Sequence, residues 1–363
     1  MPENESEQSS FLIDELLEKT ILKGASDLHL SKGMPPIIRV TGVLQPLAGF
    51  KKLEENNIVH VVGQLLEENQ LEELYETKEM DSSYAIGDKG RFRVNVFFER
   101  RSLAVSCRYI PTKLPTLEEL ALPTMLYEFC KLPQGLVLVT GASGQGKSTT
   151  LAALINWINT NKNAHVITIE DPIEYMFASN KALIQQREIR IDTLKWTHAL
   201  KSALREDANI ILIGEIRDFE TMNLAITAAE KGHLVLATIH TYSADQTVEH
   251  VIGMFPEHQQ HQARMQFAAV LEGTVTQNLV KGIDPSKRYP AIELMIATSA
   301  IRNIIREGNA HFIYNNISTN FDIGMITMEK SLAELVNSGK VELDEALAKA
   351  KHPNEMLRFI EKR

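Results

Sequence analysis

Gly141-Ala-Ser-Gly-Gln-Gly-Lys-Ser148 is a complete G-x-x-x-x-G-K-[ST] loop. Glycines at this spacing let the backbone curl until its N–H groups converge on phosphate oxygens. The following helix adds the positive end of its dipole, the lysine reaches the β- and γ-phosphates, and the serine hydroxyl suits Mg²⁺. An apolar run, Gly135 to Val139, precedes the loop, and Leu151, Leu154, Ile155 and Ile158 recur after it at helical spacing, the strand–loop–helix context the motif requires. Gly141, Ala142, Ser143, Gly144, Gln145, Gly146, Lys147, Ser148 and Thr149 are therefore the expected ATP contacts, with Ser148 a magnesium ligand.

Three further groups suit phosphoryl transfer. Glu215 ends the apolar run Ile210-Ile-Leu-Ile213 and either holds Mg²⁺ through water or activates the attacking water as general base. Thr168-Ile-Glu-Asp-Pro-Ile-Glu174 places Glu170, Asp171 and Glu174 at the carboxyl end of another expected strand, the edge where parallel sheets bind ligands. Some of these acids supplement the magnesium and water shell, or only shape the turn. His240 closes the run that His233 opens. A straight strand of that length separates the two by about 23 Å, which argues against a shared zinc ion. His240 is left to sense the γ-phosphate, to contact a neighbouring subunit, or to serve structure alone.

The elements that position these groups read as α/β. From about residue 132 short apolar runs (135–139, 165–169, 209–213, 233–238) alternate with helices, predicting a mainly parallel sheet covered on both faces. From about 256 onward the chain reads as mostly helical, interrupted at Gly282-Ile-Asp-Pro-Ser286. Before the loop lies a smaller α+β domain, residues 10–112, after an acidic tail over 1–9. A helix is expected around Ile13 to Ile21, strands at 26–31 and 37–40, and a polar helical region over 53–76. Arg91-Phe-Arg-Val-Asn-Val-Phe97 alternates cleanly, and with Leu103–Tyr109 it predicts a hairpin that sets Arg93 opposite Arg108. Pro111, Pro115 and Pro123 mark a linker region over 113–131, followed by the ATPase domain over 132–363.

Across 363 residues, 38 Lys and Arg stand against 47 Asp and Glu, a formal charge of -9 that argues against a general nucleic-acid binder. Cys107 and Cys130 are too few for a disulfide scaffold or a four-cysteine metal site. The acidic start does not read as a signal peptide, and no stretch approaches the ~18 apolar residues of a spanning helix. A cytoplasmic location is expected.

Taken in order, the phosphate loop, Thr168 to Glu174, Ala203-Leu-Arg-Glu-Asp207, Ile213-Gly-Glu-Ile-Arg-Asp218 and Gly232 to Thr241 resemble the motifs of the type II/IV secretion ATPases. These are hexameric motors of the additional-strand P-loop class. Ser26-Asp-Leu-His-Leu30, Arg91 to Asn95 and Ala300-Ile-Arg-Asn-Ile-Ile-Arg-Glu307 are similar to the type IV pilus retraction, or twitching-motility, branch. The resemblance spans residues 11–360 and implies a PAS-like first domain, a RecA-like ATPase domain and a homohexamer. It also implies arginines of the first domain that reach the phosphates. Arg93 and Arg108 match that role, with Arg91, Arg100 and Arg101 behind them, and a guanidinium there would stabilise charge on phosphoryl oxygens.

The implied partner is the pilus platform protein on the inner face of the cytoplasmic membrane, contacted through Arg302, Asn303, Arg306 and Glu307, with a second retraction ATPase as a further partner. Assembly relatives carry a four-cysteine zinc module that two cysteines cannot build. The accessory retraction ATPase is the nearer alternative. Departures from the family pattern are Ser143 and Gln145 within the loop, where relatives usually have Thr and Ser, and Ile304 where they have Leu. Gln145 is the one feature that invites a different class, a nucleotide-dependent scaffold with little hydrolysis; Glu215 and the carboxylate cluster argue against it.

Overall fold

The structure, a computed structural model, describes residues 12–40, 42–87, 89–110 and 114–360; the acidic tail expected over 1–9 lies outside them. The chain divides into two compact units, Met1–Lys113 and Leu114–Arg363.

In the first unit, strands β1 (Ala25–Leu30), β2 (Ile37–Val40), β3 (Val43–Pro46), β4 (Glu79–Ile86), β5 (Gly90–Glu99) and β6 (Ser102–Ile110) form an antiparallel sheet in the order β3-β2-β1-β6-β5-β4. The alternation of β5 puts Phe92, Val94 and Val96 into the core, where Ile13, Leu16 and Leu17 of the helix Ile13–Leu22 join them. Burying each such side chain stabilises the unit by roughly 1.5–3 kcal/mol. Arg100 and Arg101, at φ 49° and 69°, make the two-residue hairpin turn, so that Arg93 and Arg108 are paired across β5 and β6. The helical region over 53–76 is two helices, Glu55–Leu65 and Glu68–Thr77, and β3 and β4 are additions to the elements expected from sequence.

In the second unit, β7 (Gly135–Thr140), β8 (His165–Glu170), β9 (Leu183–Glu188), β10 (Ile210–Ile213), β11 (Leu234–Ile239), β12 (Leu271–Lys281) and β13 (Arg288–Ile296) form one sheet in the order β13-β12-β7-β11-β10-β8-β9. All neighbours are parallel except β12 and β13. Every residue of β7, β10 and β11 is buried, because both sheet faces are covered. Leu136 and Leu138 of β7 enter one apolar cluster while Val137 and Val139 enter the other, the period-two signature of a two-faced core.

One expectation needs correction. The stretch after 256 is helical only over Glu257–Val270 and again from Ser299; between them β12 and β13 form a hairpin. Thr274, Val275 and Thr276 are fully buried between β7 and β13, and a short β-branched run of this kind carries no period that separates it from a helix. In the stretch expected as a linker region, Leu117, Leu122, Leu126, Phe129 and Cys130 are buried in the second unit's core, and Tyr127–Lys131 is helical. Burial pushes the thiols of Cys107 and Cys130 up to about 12, leaving both as inert apolar groups.

Glu293 of β13 is buried and accepts the Ala244 N–H (2.7 Å) at the start of the helix Ala244–Gly253. Burial raises its pKa from 4.5 to about 7, with the nearby acids Asp245 and Glu329 adding to the rise. The folded protein thus keeps a proton that the unfolded chain releases, so this contribution to stability is lost as pH rises from about 4.5 through about 7. Glu293→Gln is expected to raise the melting temperature at pH 8 and leave it nearly unchanged near pH 4, at roughly 1.4 kcal/mol per unit of pKa difference. Thermal denaturation at the two pH values checks this.

Candidate active site

At Thr140 the chain leaves β7 and turns into the phosphate loop. Gly141 (φ +140°) and Gly146 (φ +85°) are required by close approach as well as by backbone angle. A Cβ on the first would stand 2.5 Å from the Gln277 carbonyl, and on the second 2.8 Å from the Gln277 amide nitrogen. The helix Lys147–Asn161 begins at once, with Ser148 and Thr149 in its first turn. Lys147 is buried, and its Nζ donates to the carbonyls of Gly141 and Ala142, 2.9 Å each. Burial holds its pKa below the usual lysine value, against the pull of Glu215 and Glu174.

Strand β11 lies between β7 and β10, so Glu215, just after β10, is one strand removed from the loop. His240, just after β11, fills the gap. Its Nε2 is 3.0 Å from Glu215 Oε2 and its Nδ1 is 3.4 Å from Lys147 Nζ. A neutral imidazole with its proton on Nε2 satisfies both, accepting from the ammonium and donating to the carboxylate. The other carboxylate oxygen, Oε1, is held by Arg217 Nε. A lysine–histidine–glutamate line thus runs across three parallel strand ends.

Glu170 ends β8 and accepts from Thr168 Oγ1 (2.7 Å) and Gln186 Nε2 (3.2 Å); burial lifts its pKa to about 7 despite those bonds. Gln186 also donates to the Tyr175 carbonyl (2.8 Å), and the Tyr175 hydroxyl meets Thr149 Oγ1 (3.0 Å), tying the acidic turn to the first turn of the phosphate-loop helix. Asp171 and Glu174 are exposed on the same cleft, a cavity of ≈ 440 Å³ that Ser148, Glu170, Glu215 and His240 also line. Ser148 and the carboxylates that line the cleft are oxygen donors, the ligand type Mg²⁺ takes.

The expected site residues therefore fall in two units. Of the loop, Ser143, Gly144 and Gly146 to Thr149 share one cleft of the second unit with the three acids of 170–174, Glu215 and His240; Ala142 and Gln145 line a neighbouring pocket, and Arg93 and Arg108 belong to the first unit. Arg108 Nε donates to the buried Asp27 Oδ1 at 2.8 Å; Arg93 is half-exposed, 3.9 Å from Asp81. Burial works to raise the Asp27 pKa, and the Arg108 and Ser26 hydrogen bonds outweigh it, leaving the carboxyl below its usual value. Sequence reasoning missed Arg217, Tyr175, Gln186, Gln277 and Arg288. Arg217 was discoverable from its place two residues after Glu215. Gln277 and Arg288 stand on strands β12 and β13, in a stretch that reads as helix.

The helix Ser299–Glu307 buries Ile301 and Ile305, and Asn303, Arg306 and Glu307 are exposed. Arg302 is engaged internally. Its guanidinium donates to the carbonyls of Ala268, Ala269 and Ala297 and to Glu272 Oε1 (2.8 Å), closing the last turn of Glu257–Val270.

Comparison with known proteins follows the same lines. The sequence profile of the type II/IV secretion system proteins matches residues 3–358. The chain is 43% identical to the type IV pilus retraction ATPase PilT of Pseudomonas aeruginosa, over 94% of this chain and 98% of that protein. It is 36% identical to the type IV pilus ATPase PilU of the same organism, over 96% and 91%. A crystal structure of the pilus retraction motor PilT with bound ADP superposes with a TM-score of 0.90 at 39% identity, covering 95% of this chain and 99% of that one.

Proposed function

The chain belongs to the type II/IV secretion system protein family, and we propose that it is an ATP-hydrolysing motor, working as a homohexamer, that powers type IV pilus retraction and twitching motility. The line Lys147–His240–Glu215 beside the phosphate loop carries this reading, since it joins a phosphate-binding cation to a carboxylate that can take a proton.

The loop N–H groups and Lys147 bind and orient the triphosphate. For that, Lys147 exchanges the Gly141 and Ala142 carbonyls for phosphate oxygens, a stronger charge-assisted contact. We assign Glu215 as the base that takes the proton of the attacking water, whose oxygen bonds to the γ-phosphorus as the bond to the ADP oxygen breaks. His240 fixes the orientation of that carboxylate. Glu170 is anchored by Thr168 and Gln186 and titrates near neutrality, which suits a group that orders the surrounding polar shell. Ser148, with Glu215 through water, would hold Mg²⁺, which supplies positive charge to the β- and γ-phosphate oxygens when bound. Arg93 and Arg108 are the first unit's candidates for stabilising phosphoryl charge, and Arg93 has the weaker internal partner.

Asn303, Arg306 and Glu307 present polar groups suited to a platform protein at the inner face of the cytoplasmic membrane, while Arg302 braces the helix that carries them. Among the described residues no helix is long and apolar enough to cross a membrane. We propose a cytoplasmic motor attached through such a partner. Deleting the gene is expected to leave long pili that do not retract and to abolish surface motility. Unchanged filaments and motility would overturn the reading.

A further inference from the structure

We propose that Gln145 is a positioning residue that fastens the phosphate loop to strand β12, and so sets how tightly the loop holds a nucleoside diphosphate. The proposal rests on the nucleotide reading of the site and adds a residue that lines a neighbouring pocket rather than the nucleotide cleft. The pairing of β12 with β7 stops at Thr276 opposite Thr140, because β7 gives way there to the loop. Past that point β12 faces the loop with an open edge. Leu279 N–H on this edge donates to Gln145 Oε1 at 2.6 Å, and Gln277 Nε2 donates to the Gln145 carbonyl at 2.7 Å. The other end of the Gln277 amide accepts from Thr150 Oγ1, again at 2.7 Å. Gln277 is 3% exposed and Thr150 fully buried, so the Thr150–Gln277 bond lies where water competes poorly, and Gln145 and Leu279 at the end of the chain of bonds are half-buried.

Gln145 lines a separate pocket with Asp245, Asn278 and Lys351 and is not among the residues that line the cleft of Lys147 and Ser148. Its effect on nucleotide must therefore pass through the loop backbone. A serine hydroxyl at this position ends two bonds short of where Gln145 Oε1 sits and cannot take the Leu279 N–H. With the glutamine in place, the loop is ordered on β12 before a phosphate arrives, and that ordering is no longer charged against binding.

The test uses the full-length protein, binding of the fluorescent analogue MANT-ADP, and amide hydrogen exchange at Leu279. Gln145→Met keeps the bulk and loses the acceptor; Gln145→Glu keeps an acceptor of the same reach. Gln145→Met is expected to weaken MANT-ADP binding about five-fold, the worth of roughly one net hydrogen bond. It should also speed exchange at Leu279, which stays slow in the wild type and in Gln145→Glu. A Met variant with unchanged affinity, even one with a lower melting temperature, overturns the proposal, as does slow Leu279 exchange in that variant. A wild-type chain that fails to bind MANT-ADP would overturn the nucleotide reading instead, and Leu279 exchange in the nucleotide-free protein would still decide whether the brace exists.

Discussion

Replacing Glu215 by glutamine is expected to lower steady-state ATP hydrolysis by about 10²- to 10⁴-fold, the usual cost of removing a general base, while nucleotide binding is kept. The amide has the shape of the carboxylate and its oxygen can still accept from His240 Nε2; its NH2 then faces Arg217, whose exposed side chain is free to turn to solvent, so the strand ends need not move. What it lacks is the ability to take a proton, and the loss should fall on turnover. Phosphate release measured beside MANT-nucleotide binding separates the two. A variant that hydrolyses within about ten-fold of wild type would pass the base's role to another acid, and Glu170 would be the next residue to replace.

Arg302→Ala should unfold more easily by about 3 kcal/mol, because it strips a partly buried carboxylate of its partner and leaves helix-end carbonyls unpaired. Glu272 and the carbonyls of Ala268, Ala269 and Ala297 all turn to this one guanidinium. Alanine at Asn303, Arg306 or Glu307, all exposed, should change stability by no more than about 0.5 kcal/mol. Chemical denaturation of the four variants checks the contrast. Motility lost in the exposed variants with ATP hydrolysis intact would mark a contact surface. Arg302→Ala loses motility through instability, and a wild-type unfolding midpoint in that variant would show the brace to be dispensable.

The candidate site was legible because its parts are local. A phosphate loop is eight consecutive residues that lead from a strand into a helix, and the acids at 170–174 and 215 each follow an apolar run whose burial dictates a strand. The β5–β6 hairpin was legible for the same reason: period-two alternation on both sides of a two-residue turn puts Arg93 opposite Arg108 without further information. Short edge strands such as β3, all of whose residues are exposed, carry no such signature. The buried β12 was misread because its run of Thr274, Val275, Thr276 and Gln277 is buried on both faces and has no apolar–polar period to read.

Residue types and local spacing alone determined that the chain holds a phosphate loop, a carboxylate set and a parallel sheet to carry them. Strand order, which local sequence does not encode, decided the rest. Placing β11 between β7 and β10 makes His240 the link between Lys147 and Glu215. Placing β12 on the other flank of β7 turns Gln145 from a loop residue into a brace and makes glycine obligatory at 141 and 146. Which strands lie side by side is settled by long-range burial of both sheet faces, and only the folded sheet reveals which residues, more than a hundred positions apart in the case of Gln145 and Leu279, share a hydrogen bond.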